Sequence, residues 1–185
     1  MSETKNPWQV QGRKIMYDNP WINVTEYDVI NPGGGKGIYG KVHFKNVAIG
    51  IMVLDDEMNT YLVGQYRFVL DAYSWEIPEG GCSAGEQFLD AARRELREET
   101  GLIAENWQEL FRAHLSNSVS DELAVIFLAR NLKQDMADPE ETEDLRMKKI
   151  PFSEAVDMVN TGIITDAISV MAIQKLQLII LSKEL

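Results

Sequence analysis

The chain has one cysteine, Cys82, in 185 residues, which excludes an intramolecular disulfide framework. It has only two histidines, His43 and His114, so a zinc site of the nitrogen and sulfur type has almost no ligands to draw on. A metal held by this sequence would be a hard cation on oxygen. Basic residues are also in short supply: 18 Lys and Arg stand against 29 Asp and Glu, a formal net charge of −11. That balance argues against a nucleic-acid binder whose affinity rests on neutralising phosphates with Lys and Arg. Any phosphate ligand must be drawn by local arginines or divalent cations against a repulsive overall field. Long apolar runs are missing too. The stretch Val47 to Leu54, interrupted only by Gly50, is far short of the ~18 residues that would cross a bilayer, so no membrane partner is expected. The opening MSETKNPWQVQ places no apolar stretch behind its charges, and the expected compartment is the cytoplasm.

What is present is ordinary globular composition, 45% hydrophobic and 25% charged, at a length that fits one domain with a small appendage. Residues 1–20, punctuated by Pro7, Gly12 and Pro20, read as an irregular or edge segment. WINVTEYDVI at 21–30 and IYGKVHF at 38–44 predict a hairpin about the turn NPGGG. VAIGIMVL at 47–54 predicts a buried strand, TYLVGQYRF at 60–68 another, and SWEIP at 74–78 a short extended piece stopped by proline. The period then changes. Ser83 to Thr100 carries helical spacing, Ser83-x-x-Glu86 has the form of a capping box, and Gly101 is a natural stop. WQELFRAH and LAVIFLAR predict strands, followed by an acidic loop from Asp135 to Asp144, a short LRMKKI strand, and helices from about Ser153 and Asp166. The expected fold class is α+β, an α/β/α sandwich with a mixed sheet and an N-terminal β-hairpin extension. Residues 1–45 would form the extension and 46–185 the main domain.

On the central helix, Phe88, Leu89, Ala92 and Leu96 share one stripe, with Asp90, Arg93 and Arg97 opposite. Glu95 and Glu99 are an i, i+4 pair bordering that buried stripe, and Glu98 lies on the adjoining flank. Like charges at this spacing destabilise a helix, and anions in its last turn oppose the macrodipole. A divalent cation would remove both penalties. The competing reading, a solvated charge run tied to Arg93, Arg94 and Arg97, is decided by spacing. Gly80, five residues, Glu86, seven residues, Arg94-Glu95-Leu96, one residue, Glu98-Glu99, one residue, Gly101-Leu102 resembles a complete Nudix box over residues 80–102.

The resemblance implies hydrolysis of a nucleoside diphosphate linked to another group, using Mg²⁺ or Mn²⁺. It implies Glu95 and Glu99 as the main metal ligands, with Glu98 alongside and the backbone carbonyl of Glu79 completing the set. Glu86 and Arg94 would lock the loop to the helix, and Gly80 and Gly101 would be backbone requirements. QYR at 65–67, WEIPEGG at 75–81, SDE at 120–122 and the later AISVMAIQKLQ are similar to the branch that cleaves ADP-ribose and nucleoside diphosphate sugars. That branch implies a homodimer through the N-terminal strands, commonly swapped, with Arg67 as a phosphate clamp and Glu76 and Glu122 as polar contacts to substrate. Members dedicated to ADP-ribose carry a proline some fifteen residues after the box. HLSNSVSDE has none, which favours a nucleoside diphosphate sugar such as GDP-mannose, with ADP-ribose as a further substrate. The general base implied by the branch lies in the acidic loop PEETEDLRM: Glu141 first, Glu143 assisting or binding a cation, Glu140 the fallback. The plain alternative there is a solvated acidic run.

Two rival functions remain at this point, sanitation of oxidised nucleoside triphosphates and a non-catalytic nucleotide-sugar sensor. Gly35-x-Gly37-x-x-Gly40 matches a dinucleotide fingerprint but is followed by a predicted strand where a helix is needed. Cys82, His43 and His114 read as structural, and Trp8, Trp21, Trp75 and Trp107 as core, with Trp8 or Trp21 able to stack a base.

Overall fold

The structure, a computed structural model, describes residues 5–135 and 145–183. These form two compact units, one comprising residues up to Asn46 with His114–Glu122, the other Val47–Ala113 with the residues from Leu123 onward. Among the described residues no helix is long and apolar enough to cross a membrane.

The first unit is an antiparallel sheet of β1 (Gln9–Asp18), β2 (Ile22–Ile30) and β3 (Lys36–Phe44), in that order. The hairpin between β2 and β3 is closed by Asn31, whose Oδ1 accepts the N–H groups of Gly33 and Gly35, both at 3.0 Å, around Gly34 at φ 85°. The segment read as irregular or edge is a ten-residue edge strand with register shifts at Val10/Gly12 and Ile15/Tyr17. Those bulges break the strict alternation that would have marked it as a strand. His114–Glu122 is stitched to β3: Val42 N–H donates to the Val119 carbonyl at 2.9 Å, and Asp121 N–H to the Val42 carbonyl at 3.2 Å. The Asp121 carboxylate then accepts from Lys41 Nζ at 2.7 Å, pairs with His43 Nδ1 at 2.8 Å, and accepts from Phe44 N–H at 3.1 Å.

The second unit holds a mixed sheet in the order β7 (Glu79–Cys82), β4 (Val47–Val53), β9 (Leu123–Gln134), β8 (Leu102–His114), with β4 parallel to β9 and antiparallel to β7. A second, antiparallel sheet runs β10 (Arg146–Pro151), β5 (Asn59–Arg67), β6 (Ala72–Glu76). Helix α1 (Phe88–Thr100) buries Ala91, Ala92 and Leu96 against Ile49, Ile51, Val53, Val125 and Phe127. Helix α2 (Phe152–Asn160) packs on α3 (Ala167–Ser182). Helix α3 lies on the opposite face of β4, where a Cβ on Gly50 would come within 2.5 Å of Ile168. The fold is thus the expected α+β sandwich.

Two local expectations are corrected. The helix starts at Phe88 and not at Ser83, because Gly85 at φ 90° cannot continue a right-handed helix. Only half of the capping box exists: Ser83 N–H donates to Glu86 Oε2 at 3.2 Å, while the N-cap is Gln87 with no side-chain bond. Strand β7 carries no local signal, since EGGC is too short and too glycine-rich to show a period.

Burial raises the Asp121 carboxyl, but Lys41, His43 and the Phe44 N–H outweigh it and bring the pKa down to about 2. A depressed carboxylate stabilises the fold above its unfolded pKa of about 4, and the contribution is lost as pH falls toward 2. With Asp121 one-third exposed, the discounted contribution is about 1–2 kcal/mol. Asp121→Asn should therefore lower stability by that amount in denaturant titrations at pH 7, with the gap closing as the pH falls from about 4 to about 2.

Candidate active site

Residues 76–81, EIPEGG, leave β6 and enter β7 beside the last two turns of α1. Glu79 N–H donates to Glu99 Oε2 at 2.9 Å, and Glu99 is 6% exposed. At Gly80 a Cβ would stand 2.1 Å from the Glu95 carboxyl carbon. The Glu95 carboxylate thus fills the space that a side chain at position 80 would take, and would have to move to admit one. The backbone at 79–80 is in this way packed against two helix carboxylates one turn apart.

Arg94 ties this arrangement to the loop before the helix. Its Nη1 donates to Glu95 Oε1 at 2.7 Å and to Glu98 Oε2 at 2.9 Å. Its Nε donates to Glu86 Oε1 at 3.1 Å, and Nη2 to the Gly81 carbonyl at 2.9 Å and Glu86 Oε2 at 3.3 Å. One planar guanidinium thus joins three glutamates and a β7 carbonyl. The Arg94 hydrogen bonds hold the Glu86 carboxyl below its usual range. Gly101, at φ 66°, ends the helix with its N–H on the Arg97 carbonyl at 2.9 Å.

A second arginine holds a second carboxylate group. Arg67, at the end of β5, donates from Nε to both Glu76 oxygens at 3.0 Å and from Nη2 to Glu76 and, at 2.6 Å, to Glu79 Oε1. Two residues expected to contact substrate, Arg67 and Glu76, are therefore bonded to each other. Asp166, the N-cap of α3, completes the group, with ligand atoms of Glu76, Glu79 and Asp166 all within 4.8 Å of one another. Sequence reasoning saw Asp166 only as a helix start; its approach to residues some ninety positions earlier leaves no local signal. Arg67, Glu76, Glu79 and Asp166 line a cleft of about 480 Å³ whose other wall is the β5–β6 turn, Phe68 to Leu70.

Burial pushes the Glu79 carboxyl well above its usual range, and the charges of Asp166, Glu76 and Glu99 add to this against the opposing pull of Arg67. Its Oε2 is buried and has no hydrogen-bond partner among the described residues. An orphaned carboxylate oxygen, among oxygen donors short of positive charge, fits a hard divalent cation. Glu122 lies in the other unit, at the end of the segment stitched to β3, where its carbonyl accepts from Leu115 N–H at 3.2 Å. Glu140, Glu141 and Glu143 lie outside the described residues.

The weaker motifs resolve simply. Gly37 and Gly40 lie within β3, so no helix follows the glycine fingerprint. Cys82 is buried and burial raises its thiol pKa, the reverse of a nucleophile. Trp107 packs edge-on against Phe127 in the core. Trp8 meets Tyr39 edge-on at 5.2 Å in a cavity of about 350 Å³ that also takes in Tyr27, Val10 and Val119, whereas Trp21 is 67% exposed and not core.

The contact at Gly80 yields a double-mutant test. Gly80→Ala puts its methyl group where the Glu95 carboxylate lies, so that the carboxylate must swing away from Arg94, and should cost about 1–2 kcal/mol of stability. In a Glu95→Ala background, where the obstacle is gone, the same change should cost less by about 1 kcal/mol or more in urea titrations.

Residues 44–165 match the Nudix domain. The chain is 37% identical over 147 residues to the ADP-ribose pyrophosphatase of Mycobacterium tuberculosis, covering 77% of this chain and 70% of that one. It is 33% identical over 184 residues to the GDP-mannose pyrophosphatase of an Enterobacter species, covering 89% and 92% of the two. A crystal structure of an ADP compounds hydrolase superposes with a TM-score of 0.87 at 20% identity, covering 98% of both chains, which shows a shared fold. With the box assembled at one loop and the domain match spanning most of its length, the chain belongs to the Nudix family.

Proposed function

We propose that this protein hydrolyses the pyrophosphate of nucleoside diphosphate sugars, of the GDP-mannose or ADP-ribose type, to a nucleoside monophosphate and a sugar phosphate. One observation carries the proposal: the carboxylates of Glu95 and Glu99 converge on the backbone of Glu79 and Gly80, beside a cleft that also presents an arginine. The two relatives named above act on GDP-mannose and ADP-ribose, which supports the substrate class.

Divalent cations are the general requirement of the family, and Mg²⁺ or Mn²⁺ is the proposed species here. Glu95, Glu99 and Glu98, with the Glu79 carbonyl, would hold it. When bound, it supplies charge neutralisation at the pyrophosphate and acidifies water at its open positions. Arg67 keeps Nη1 outside its bonds to Glu76 and Glu79, so it can stay anchored while offering that nitrogen to a phosphate oxygen. Glu76 then acts on the substrate through Arg67, by setting the direction of its fork. Glu122 is kept as a proposed substrate contact. Glu141 is the proposed base that takes the proton of the attacking water, with Glu143 assisting or binding a cation. Both assignments rest on the sequence pattern.

The N-terminal strands are proposed to form a homodimer interface; Val10, Ile15, Met16, Tyr17, Trp21 and Ile38 are all more than half exposed on that unit. Residues 1–45 would act as this extension and 46–185 as the catalytic domain. A cytoplasmic location is proposed on the sequence reading alone.

Phosphomonoester release from GDP-mannose, ADP-ribose, UDP-glucose and dGTP, with Mg²⁺ and with chelator, tests the proposal. Metal-dependent cleavage of the diphosphate sugars is expected, and Glu95→Gln or Glu99→Gln should lower kcat by about 100-fold or more. Turnover of dGTP alone, or binding without turnover, would sink it. Glu141→Gln should leave Mn²⁺ binding intact while lowering kcat by about 10²–10⁴-fold; unchanged turnover would remove Glu141 from the role.

A further inference from the structure

We propose that the first turn of α3 positions the catalytic segment, with Ser169 as the positioning residue and Asp166 as the group that orients it; the inference rests on the hydrolase reading above. Glu76-Ile77-Pro78-Glu79 bridges β6 and β7, and both ends carry groups of the site. The two residues between them belong to neither strand, so sheet ladders do not fix them. Pro78 has no N–H, and its carbonyl is taken by Ile51 N–H from β4 at 2.8 Å. That leaves Ile77 N–H as the only interior donor, and it donates to Ser169 Oγ at 2.9 Å across 92 positions of sequence.

Both residues are completely buried, so solvent offers no substitute acceptor. The other buried residues of α3, Ile168, Ala172, Ile173 and Leu176, are all apolar, so Ser169 is the polar exception on that helix. A buried serine in a helix ordinarily bonds back to its own preceding turn. Here its oxygen serves another segment. Its placement is set by the cap: Ser169 N–H donates to Asp166 Oδ2 at 2.7 Å, which fixes the first turn of the helix. The same Asp166 stands with Glu76 and Glu79 in the carboxylate group. The helix end therefore reaches the site twice, by a hydrogen bond to its backbone and by a charge at its edge.

The consequence is mechanical. Glu79 N–H is bonded to Glu99, and Gly80 packs on Glu95, so a small shift at Ile77 is passed to the cation ligands within three residues. Positional errors of this size are costly in catalysis.

Ser169→Ala removes the acceptor, and Leu176→Ala, farther along α3, serves as a control for lost packing. Mn²⁺ binding is read by electron paramagnetic resonance on the substrate-free protein. For kcat and KM the substrate is the best one of the panel, at a temperature where circular dichroism shows both variants folded. For Ser169→Ala, Mn²⁺ affinity should fall about tenfold and kcat about 10–100-fold, with KM changing less, while Leu176→Ala stays within about twofold of wild type in both. Equal losses in the two variants, or wild-type Mn²⁺ affinity in Ser169→Ala, would overturn the inference. If Ser169→Ala does not fold, Ser169→Cys, which keeps a weaker acceptor, must lose at least about threefold in Mn²⁺ affinity for the inference to stand. A wild-type protein that binds Mn²⁺ yet cleaves nothing in the panel would instead overturn the hydrolase reading, leaving the Mn²⁺ comparison to decide the role of Ser169.

Discussion

The absence of a side chain at Gly80 is the constraint on which the rest of the site depends. Because nothing projects there, the Glu95 carboxylate can lie against the backbone of β7, in the space that a Cβ would take. That contact fixes the face of α1 turned toward the loop, and with it the direction of Glu99, which accepts the neighbouring Glu79 N–H. Two anionic groups are thereby brought to two adjacent residues in a protein whose net charge of −11 already repels them. The fold tolerates the arrangement because each carboxylate cluster has been given its own arginine.

Those arginines divide the work. Arg94 spends its donors on Glu86, Glu95, Glu98 and the Gly81 carbonyl, all within the box, and so serves as a fixed crosslink between loop, helix and strand. Among the described residues the Arg67 side chain is hydrogen-bonded to Glu76 and Glu79 alone, and it lines a cleft. The chemical residue type is the same, but the degree of saturation differs, and saturation separates a structural guanidinium from one able to meet a ligand. The Glu79 oxygen that neither arginine bonds is an acceptor left over among the described residues.

Most of the architecture could be read from the sequence, because period and punctuation are local. The apolar run at 47–54, the stripe on α1 and the stop at Gly101 each carry their signal within a few residues. The same locality explains the errors. Gly85 sits in a window of helical spacing, yet its φ of 90° places the helix start at Phe88. The box was recognisable as a spacing, yet the spacing does not say that Arg67 and Glu76 are bonded to each other, nor that Asp166 stands beside them. Those relations arise from β5, β6 and the end of α3 meeting in space, and no periodicity in one segment encodes the position of another.

The connection between the two units has a consequence for how the chain can be divided. The polypeptide leaves the second unit at Ala113, adds His114–Glu122 to the sheet of the first, and returns at Leu123. The boundary at Asn46 is therefore not a place where the protein can be cut into a tail and an enzyme. Removing the three N-terminal strands would strand the backbone of Val119 and Asp121 without Val42, and the Asp121 carboxylate without Lys41, His43 and the Phe44 N–H. A smaller ancestor or an engineered minimal form would need a shorter, self-sufficient link between β8 and β9. In this chain the N-terminal strands and the β8–β9 link must change together.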